Sequence, residues 1–189
     1  MRTKDQDKLQ RIKEATVRLI LREGIDGASV SKIAKEANVS PATIYIYYDS
    51  KEEMLSKVFK EYSRQSYQYL VQHIHPQMEA GELIEVIVRK SYTYFVENEE
   101  IFSFVEQCSR CPTLCEQVCE RECTNELMTL IHEYQRDGRI RACSDWNLWA
   151  MIFAPVRFLA MKNKDISCSC NANLDELVQM IQSVFVHHA

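Results

Sequence analysis

Thr43, Tyr45, Tyr47 and Lys51 fall within nine residues of one another, and their side chains have the chemistry to grip a nucleic acid. Hydroxyls and an ammonium at that spacing reach phosphate oxygens, while a threonine methyl or a tyrosine ring can meet base edges and thymine methyls. A second cluster is made of sulfur: Cys108, Cys111, Cys115, Cys119 and Cys123 lie mostly four apart. Thiolates in such a ribbon would serve a metal or redox sensor. Geometry restricts that reading, because Cys111 and Cys123 would stand about 18 Å apart along a helix axis while zinc holds each sulfur at about 2.3 Å. At most one adjacent pair can share an ion, with further ligands from Cys108, from Cys168 and Cys170, or from a histidine elsewhere. The helix start near Cys111 favours a thiolate, but Glu116, Glu120 and Glu122 oppose it. Inert packing of reduced cysteine is the main expectation, and a metal set of Cys108, Cys111 and Cys115 is the alternative.

The first group needs a scaffold, and the sequence around it supplies one. Ser29 can cap a helix from about Val30 to Ala37, whose apolar positions Val30, Ile33, Ala34 and Ala37 form one buried stripe. Asn38 can adopt the left-handed conformation that ends that helix, Val39 plugs the core, and Ser40 with Pro41 opens the next. In this second helix Ile44 and Tyr48 face inward, leaving Ala42, Thr43, Tyr45, Ile46 and Tyr47 outward. Asp49 and Ser50 stop it, and Ser50 with Glu53 forms the capping box of a third helix. Lys51 then sits in a first turn where the macrodipole favours an anion, so a phosphate contact is expected. Two short helices, a tight turn and a capped third helix make a helix-turn-helix that enters a DNA major groove. The expected DNA-binding residues are Ser29, Ser40, Pro41, Ala42, Thr43, Tyr45, Ile46, Tyr47 and Lys51.

These residues resemble the DNA-binding domain of the tetracycline-repressor (TetR) family of bacterial regulators. The resemblance covers roughly the first third of the chain. It is carried by a leading amphipathic helix ending at Gly24, then Ala28-Ser29-Val30, Ile33-Ala34, Ala37-Asn38-Val39-Ser40, Thr43-Ile44-Tyr45, Tyr47-Tyr48 and Ser50-Lys51-Glu52. The chain departs from the family's pattern near Pro41 and Ala42, where glycine is frequent, and at Tyr48, where phenylalanine is usual.

Charge is divided along the chain in keeping with this reading. Residues 1 to 60 carry twelve Lys and Arg against nine Asp and Glu, a net of +3, so the total of −4 leaves −7 on the remainder. The basic part coincides with the helix-turn-helix. Residues 1–50 are expected to form the DNA-binding domain and 51–189 a helical ligand-binding and dimerisation domain. With 46% hydrophobic residues, four Gly, four Pro and no sustained alternation of apolar and polar positions, the fold is expected to be all-α. The opening MRTKDQDKLQ lacks the apolar core of a signal peptide, and the apolar run from Leu148 to Val156 is too short to span a bilayer, so a cytoplasmic protein is expected.

Beyond the motif, a helix from Ser50 to about His73 would act as a lever between the two parts, and Gly81 is expected to interrupt the next stretch. Leu83, Ile84, Ile87, Val88, Tyr92, Phe95 and Val96 then form an apolar stripe. A short helix around Ile101 to Ser109 follows, then a long one from Pro112 to Arg136. Asp145 is expected to cap a helix from Trp146 to about Met161, interrupted by Pro155, and Asn173 with Glu176 to cap a last one reaching about His187.

The family resemblance implies that the last two helices pair with those of a second copy as a four-helix bundle. The expected contacts are Trp149, Phe153, Val156, Leu177, Ile181, Val184 and Phe185. It also implies a small-molecule effector held in the second domain, with Tyr92, Phe95, Phe102, Phe104, Met128, Ile131, Tyr134, Trp149, Arg157 and Phe158 as candidate lining. Glu106 and Arg157 stand among apolar neighbours and could orient a polar ligand. The expected function is a homodimeric repressor of a palindromic operator, released by that ligand, with no cofactor. The alternatives are a thiol-based metal or redox regulator, and a helical adaptor or enzyme that binds no DNA. The enzyme reading finds no Gly-rich phosphate loop, G-x-S-x-G, H-E-x-x-H or E-x-x-H motif to support it.

Overall fold

The computed structural model describes residues 4–114, 125–162 and 170–186, and its regular elements are helices. In chain order these are α1 (Lys4–Gly27), α2 (Val30–Glu36), α3 (Pro41–Tyr45), α4 (Lys51–Val71), α5 (Ala80–Glu97), α6 (Glu99–Ser109), α7 (Asn125–Arg136), α8 (Asp145–Lys162) and α9 (Cys170–Phe185). The chain packs as two compact units, Met1–Gln65 with Glu99–Glu120 and Ser66–Asn98 with Arg121–Ala189. Packing therefore cuts the chain at other places than the expected boundary at residue 50. Met54, Leu55, Val58, Phe59 and Tyr62 on α4, and Phe104 and Cys108 on α6, are all buried in the first core.

In the first unit, α1 breaks at Gly24, whose backbone (φ +77°, ψ 172°) lies in a region essentially reserved for glycine. The chain can then turn toward α2, and Ile12, Leu19, Ile20, Ile33, Ile44 and Tyr48 close over one another. Tyr62 meets Phe104 edge-on at 6.1 Å, and Lys13 pairs with Glu61 at 2.6 Å across α1 and α4. The outer side of the α1–α2 corner is clamped by charge. Glu36 accepts from Arg18 at 3.1 Å and Arg22 at 2.8 Å, and the Arg22 hydrogen bond holds its carboxyl below the usual range.

The second unit packs α5 against α8 and α9 through Leu83, Ile84, Ile87, Leu148, Ile152, Val156, Leu174, Val178 and Ile181. Its loops are held by specific bonds. The buried Tyr134 hydroxyl donates to the carbonyls of Pro76 at 3.0 Å and Met78 at 2.5 Å, and Arg139 stacks on the Tyr134 ring at 3.7 Å. Arg141 donates its N–H to the Phe185 carbonyl at 2.7 Å, beside an isolated antiparallel bridge between Ile140 and Val186.

Several expected boundaries shift. Gly81 does not interrupt α5 but lies in its first turn, where early N–H groups need no intrahelical partner and glycine costs little. Ser144, not Asp145, caps α8, its hydroxyl accepting from the Asn147 N–H at 3.3 Å. Pro155 sits inside α8 without ending it. The last helix starts at Cys170, so Asn173 is an internal residue and not its cap. The expected long helix from Pro112 is helical at 112–114 and again over α7, and residues 115–124 lie outside the described residues.

Candidate nucleic-acid interface

Local bonds build the helix-turn-helix from its sequence. The Ser29 hydroxyl accepts from the Lys32 N–H at 3.3 Å, ending the strand-like entry (φ −135°) and starting α2. Asn38 takes φ +54°, so the chain reverses within the residues between α2 and α3, and the Val39 N–H returns to the Ala34 carbonyl at 2.9 Å. Ser40 then caps α3, accepting from the Thr43 N–H at 3.2 Å with its oxygen 2.9 Å from the Thr43 hydroxyl, and Pro41 occupies the first helical position. The Ser50 hydroxyl accepts from the Glu53 N–H at 3.1 Å, while the Glu53 carboxylate reaches back to the Asp49 N–H at 2.5 Å. The reciprocal cap thus bonds Asp49 where the capping box would use Ser50 itself.

This framework buries Ile44 and Tyr48 and turns the opposite side of α3 to solvent. Burial pushes the Tyr48 phenol up, so it stays neutral in the core. Tyr45 is 55% exposed and Ile46 76%. Ser40, Pro41 and Ala42 are exposed beside them, and Ser29, Thr43 and Lys51 are half-buried. Tyr47 is half-buried and packs against the first core, so it presents less of its ring than an outward position implies. Lys51 makes no ion pair with the described residues, whereas Lys32 is bonded to Glu23 at 2.6 Å and Lys57 to Glu53 at 2.7 Å. Lys35 is an addition to the candidate set, exposed on α2 and also without an ion pair among the described residues. Its signal in the sequence is its place outside the Ile33, Ala34 and Ala37 stripe.

The candidate effector residues are divided between the two units. Phe102 and Phe104 belong to the first unit, and Phe104 is fully buried there. In the second unit Ile131 and Tyr134 are fully buried core, Met128 is nearly so, and Tyr92, Phe95 and Arg157 are half-buried. Phe158 is 64% exposed and is therefore not interior lining.

The expected dimer contacts need a similar correction. Val156, Ile181 and Phe185 are buried inside their own protomer, where they hold α8 and α9 to the second core. Trp149 and Phe153 stack on each other with centroids 4.6 Å apart, and they are half-buried like Leu177 and Val184. The apolar surface lies elsewhere on the same helices, at Trp146 (80% exposed), Met151, Phe158, Met161 and Met180.

For the sulfur ribbon, Cys108 is buried in the first core, and desolvation pushes its thiol up to about 12. At neutral pH it is a protonated, unreactive core residue. Cys111 is half-buried on the same core, and Cys115, Cys119, Cys123 and Cys168 lie outside the described residues. Among the described residues no group of three His, Cys, Asp or Glu is placed to hold a metal ion.

The family model for bacterial regulatory proteins of the tetR family matches residues 12–58, the segment that contains the capped turn. The fatty acid metabolism regulator protein of Bacillus subtilis is 34% identical over 86 residues. The match takes in 46% of this chain and 44% of that protein, so less than half the length of that relative is spanned. A TetR family transcription regulator from Marinobacter aquaeolei shares the fold with a TM-score of 0.81 at 24% identity, covering 100% of both chains. FadR from Bacillus subtilis, solved in complex with stearoyl-CoA, gives a TM-score of 0.73 at 23% identity over 94% of this chain and 99% of its own. The helix-turn-helix segment thus matches the tetR family of bacterial regulatory proteins over residues 12–58, and the fold along the whole chain is that of a TetR family transcription regulator.

Proposed function

We propose that this protein is a homodimeric transcriptional repressor of the cytoplasm that binds a palindromic operator and is released by a small molecule bound in the second unit. The observation that carries DNA binding is the pairing of Tyr45 and Ile46. They are the exposed large hydrophobic residues of the first unit among the described residues, and they stand next to each other at the end of α3. Hydrophobic side chains left in water at the tip of a capped recognition helix suit thymine methyls and base edges, with Thr43, Ser40 and Lys51 beside them for phosphates.

Dimerisation is supported by α8, which is apolar on both sides. Leu148, Ile152 and Val156 point into the protomer, and Trp146, Met151, Phe158 and Met161 point out of it. A helix apolar all round belongs in an interior, and here a second copy would supply it. Pro155, Phe158, Leu177 and Met180 line a groove of about 520 Å³ on this face, open to an incoming helix. Two recognition helices related by a two-fold axis would read half-sites about one DNA turn apart, roughly 34–36 Å. A small-molecule effector is supported by the relatives, one named for fatty acid metabolism and one solved with stearoyl-CoA.

The test is selection of binding sites from random-sequence DNA with the full chain, followed by mobility shift with Tyr45→Ala and Lys51→Ala. A palindromic consensus is expected. Each variant should lose about tenfold or more in affinity, while circular dichroism stays unchanged. Failure to enrich any sequence, with the protein folded, would sink the reading.

A further inference from the structure

We infer that α3 reads its operator through the C5-methyl groups of thymine, so that the half-site beneath it is a patch of A·T pairs recognised by hydrocarbon contact and not by a pattern of hydrogen bonds. The inference rests on the reading of α3 as the helix that meets DNA, and it narrows that reading from base edges in general to one chemical group.

Composition sets the limit first. In the major groove, hydrogen-bond readout uses arginine or lysine for guanine, asparagine or glutamine for adenine, and a carboxylate for cytosine. From Ser40 to Tyr48 the chain has none of these residue types. The polar side-chain atoms left on this segment are hydroxyls. A hydroxyl both donates and accepts, so it bonds to a guanine oxygen or an adenine amino group alike and separates bases poorly. Two of these hydroxyls are also engaged with each other, the Ser40 and Thr43 oxygens standing 2.9 Å apart within the cap of α3. Tyr48 is buried and Tyr47 half-buried.

What α3 and the residue after it present to solvent is hydrocarbon. Pro41, Ala42, Tyr45 and Ile46 are exposed, Ile46 to 76%. Ile46 is β-branched, so its χ1 is stiff and little freedom is lost when it is set against a surface. Ile44 and Tyr48 anchor the opposite side of the segment in the first core, so these side chains are offered from a fixed backbone.

Thymine alone among the four bases carries a methyl group in the major groove. Meeting it removes apolar surface from water on both partners. Over cytosine or adenine the same side chains would strip water from an amino group and supply no acceptor in return, which is a cost. Preference for thymine and rejection of the amino bases therefore come from one contact.

The test uses the full-length protein and the operator recovered by selection from random-sequence DNA. Thymines of each half-site are replaced in turn by uracil, which pairs identically and lacks only the methyl, and Kd is measured by mobility shift. At one or more of them, each methyl removed should weaken binding by about fourfold. Replacing such a T·A pair by C·G should cost roughly five- to 150-fold, and 5-methylcytosine at the same place should recover part of that loss. Ile46→Ala should abolish the uracil penalty at one of these positions, the coupling that a direct contact produces. Equal binding of the uracil and thymine operators at every position would overturn the inference. So would a penalty unaltered in both Ile46→Ala and Tyr45→Ala, because the methyls would then act through the stiffness of the DNA and not through α3. Enrichment of a sequence that shows no uracil penalty removes the methyl readout alone. Enrichment of nothing removes the regulator, and the methyl readout with it.

Discussion

The two units expose hydrophobic side chains in different ways. In the first, the large exposed ones among the described residues are two neighbours, Tyr45 and Ile46, at the end of α3. The rest of its surface is finished with ion pairs such as Arg22 with Glu36 and Lys32 with Glu23. In the second, Trp146, Met151, Phe158 and Met161 follow one another along α8, and Met180 joins them from α9. Two adjacent residues suit the edge of a base pair. A row of that length, whose full burial is worth about 1.5–3 kcal/mol per large side chain, suits another protein surface. The contrast supports the proposal that the first unit meets DNA and the second meets a second copy.

Crossed charge substitutions break that contrast most strongly. Phe158→Glu combined with Met180→Glu should raise the dimer dissociation constant by roughly a hundredfold or more, the scale of interface hot spots. Sedimentation equilibrium would show monomers, and operator binding would fall with the loss of the second half-site. Ile46→Glu should leave the dimer intact and remove operator binding alone. A dimer that survives the first pair of changes would move the interface off α8 and α9.

How much of this was legible in the sequence differs between the units for a physical reason. Caps and turns are short-range: Ser29, Ser40 and Ser50 bond within three residues of themselves, and Asn38 sets its own φ. Their identity alone therefore located α2, α3 and the start of α4. The side of α8 that faces outward is a long-range fact. Every side of that helix is apolar, so periodicity could not say whether Val156 or Phe158 meets solvent, and the packing of α5 decides it. The same holds for Phe104, which reads like any aromatic on a central helix yet closes the first core against Tyr62.

Gly24→Ala sharpens the comparison within the first unit. A Cβ there has room, its nearest neighbour being the Gln107 amide nitrogen at 3.9 Å, so any cost must come from the backbone. At φ +77° and ψ 172° that cost is about 1–3 kcal/mol. Chemical denaturation followed by circular dichroism should show this loss with native helix content retained. Because the break at Gly24 sets the approach of α2, operator affinity should fall with stability while the dimer does not change. A variant as stable as the parent would mean that the turn at Gly24 relaxes freely in solution.

The smallest expected effect separates the two cores by a buried hydroxyl in each. In the first, the buried Thr16 hydroxyl donates to the Ile12 carbonyl at 2.8 Å and lies 3.9 Å from the Met54 sulfur, so its polarity is matched. In the second, the Ser91 oxygen is as deeply buried and has no hydrogen-bond partner among the described residues. Deleting a satisfied hydroxyl loses its bond, whereas deleting an orphan removes a desolvation cost with nothing lost in return. Thr16→Val should therefore destabilise by about 1 kcal/mol, and Ser91→Ala should be neutral or stabilise by up to about 1 kcal/mol. Of the urea midpoints, measured side by side, that of Thr16→Val should fall and that of Ser91→Ala should stay or rise. A Ser91→Ala loss as large as that of Thr16→Val would show that the serine has found a carbonyl or a water in solution, and that the second core is as fully satisfied as the first.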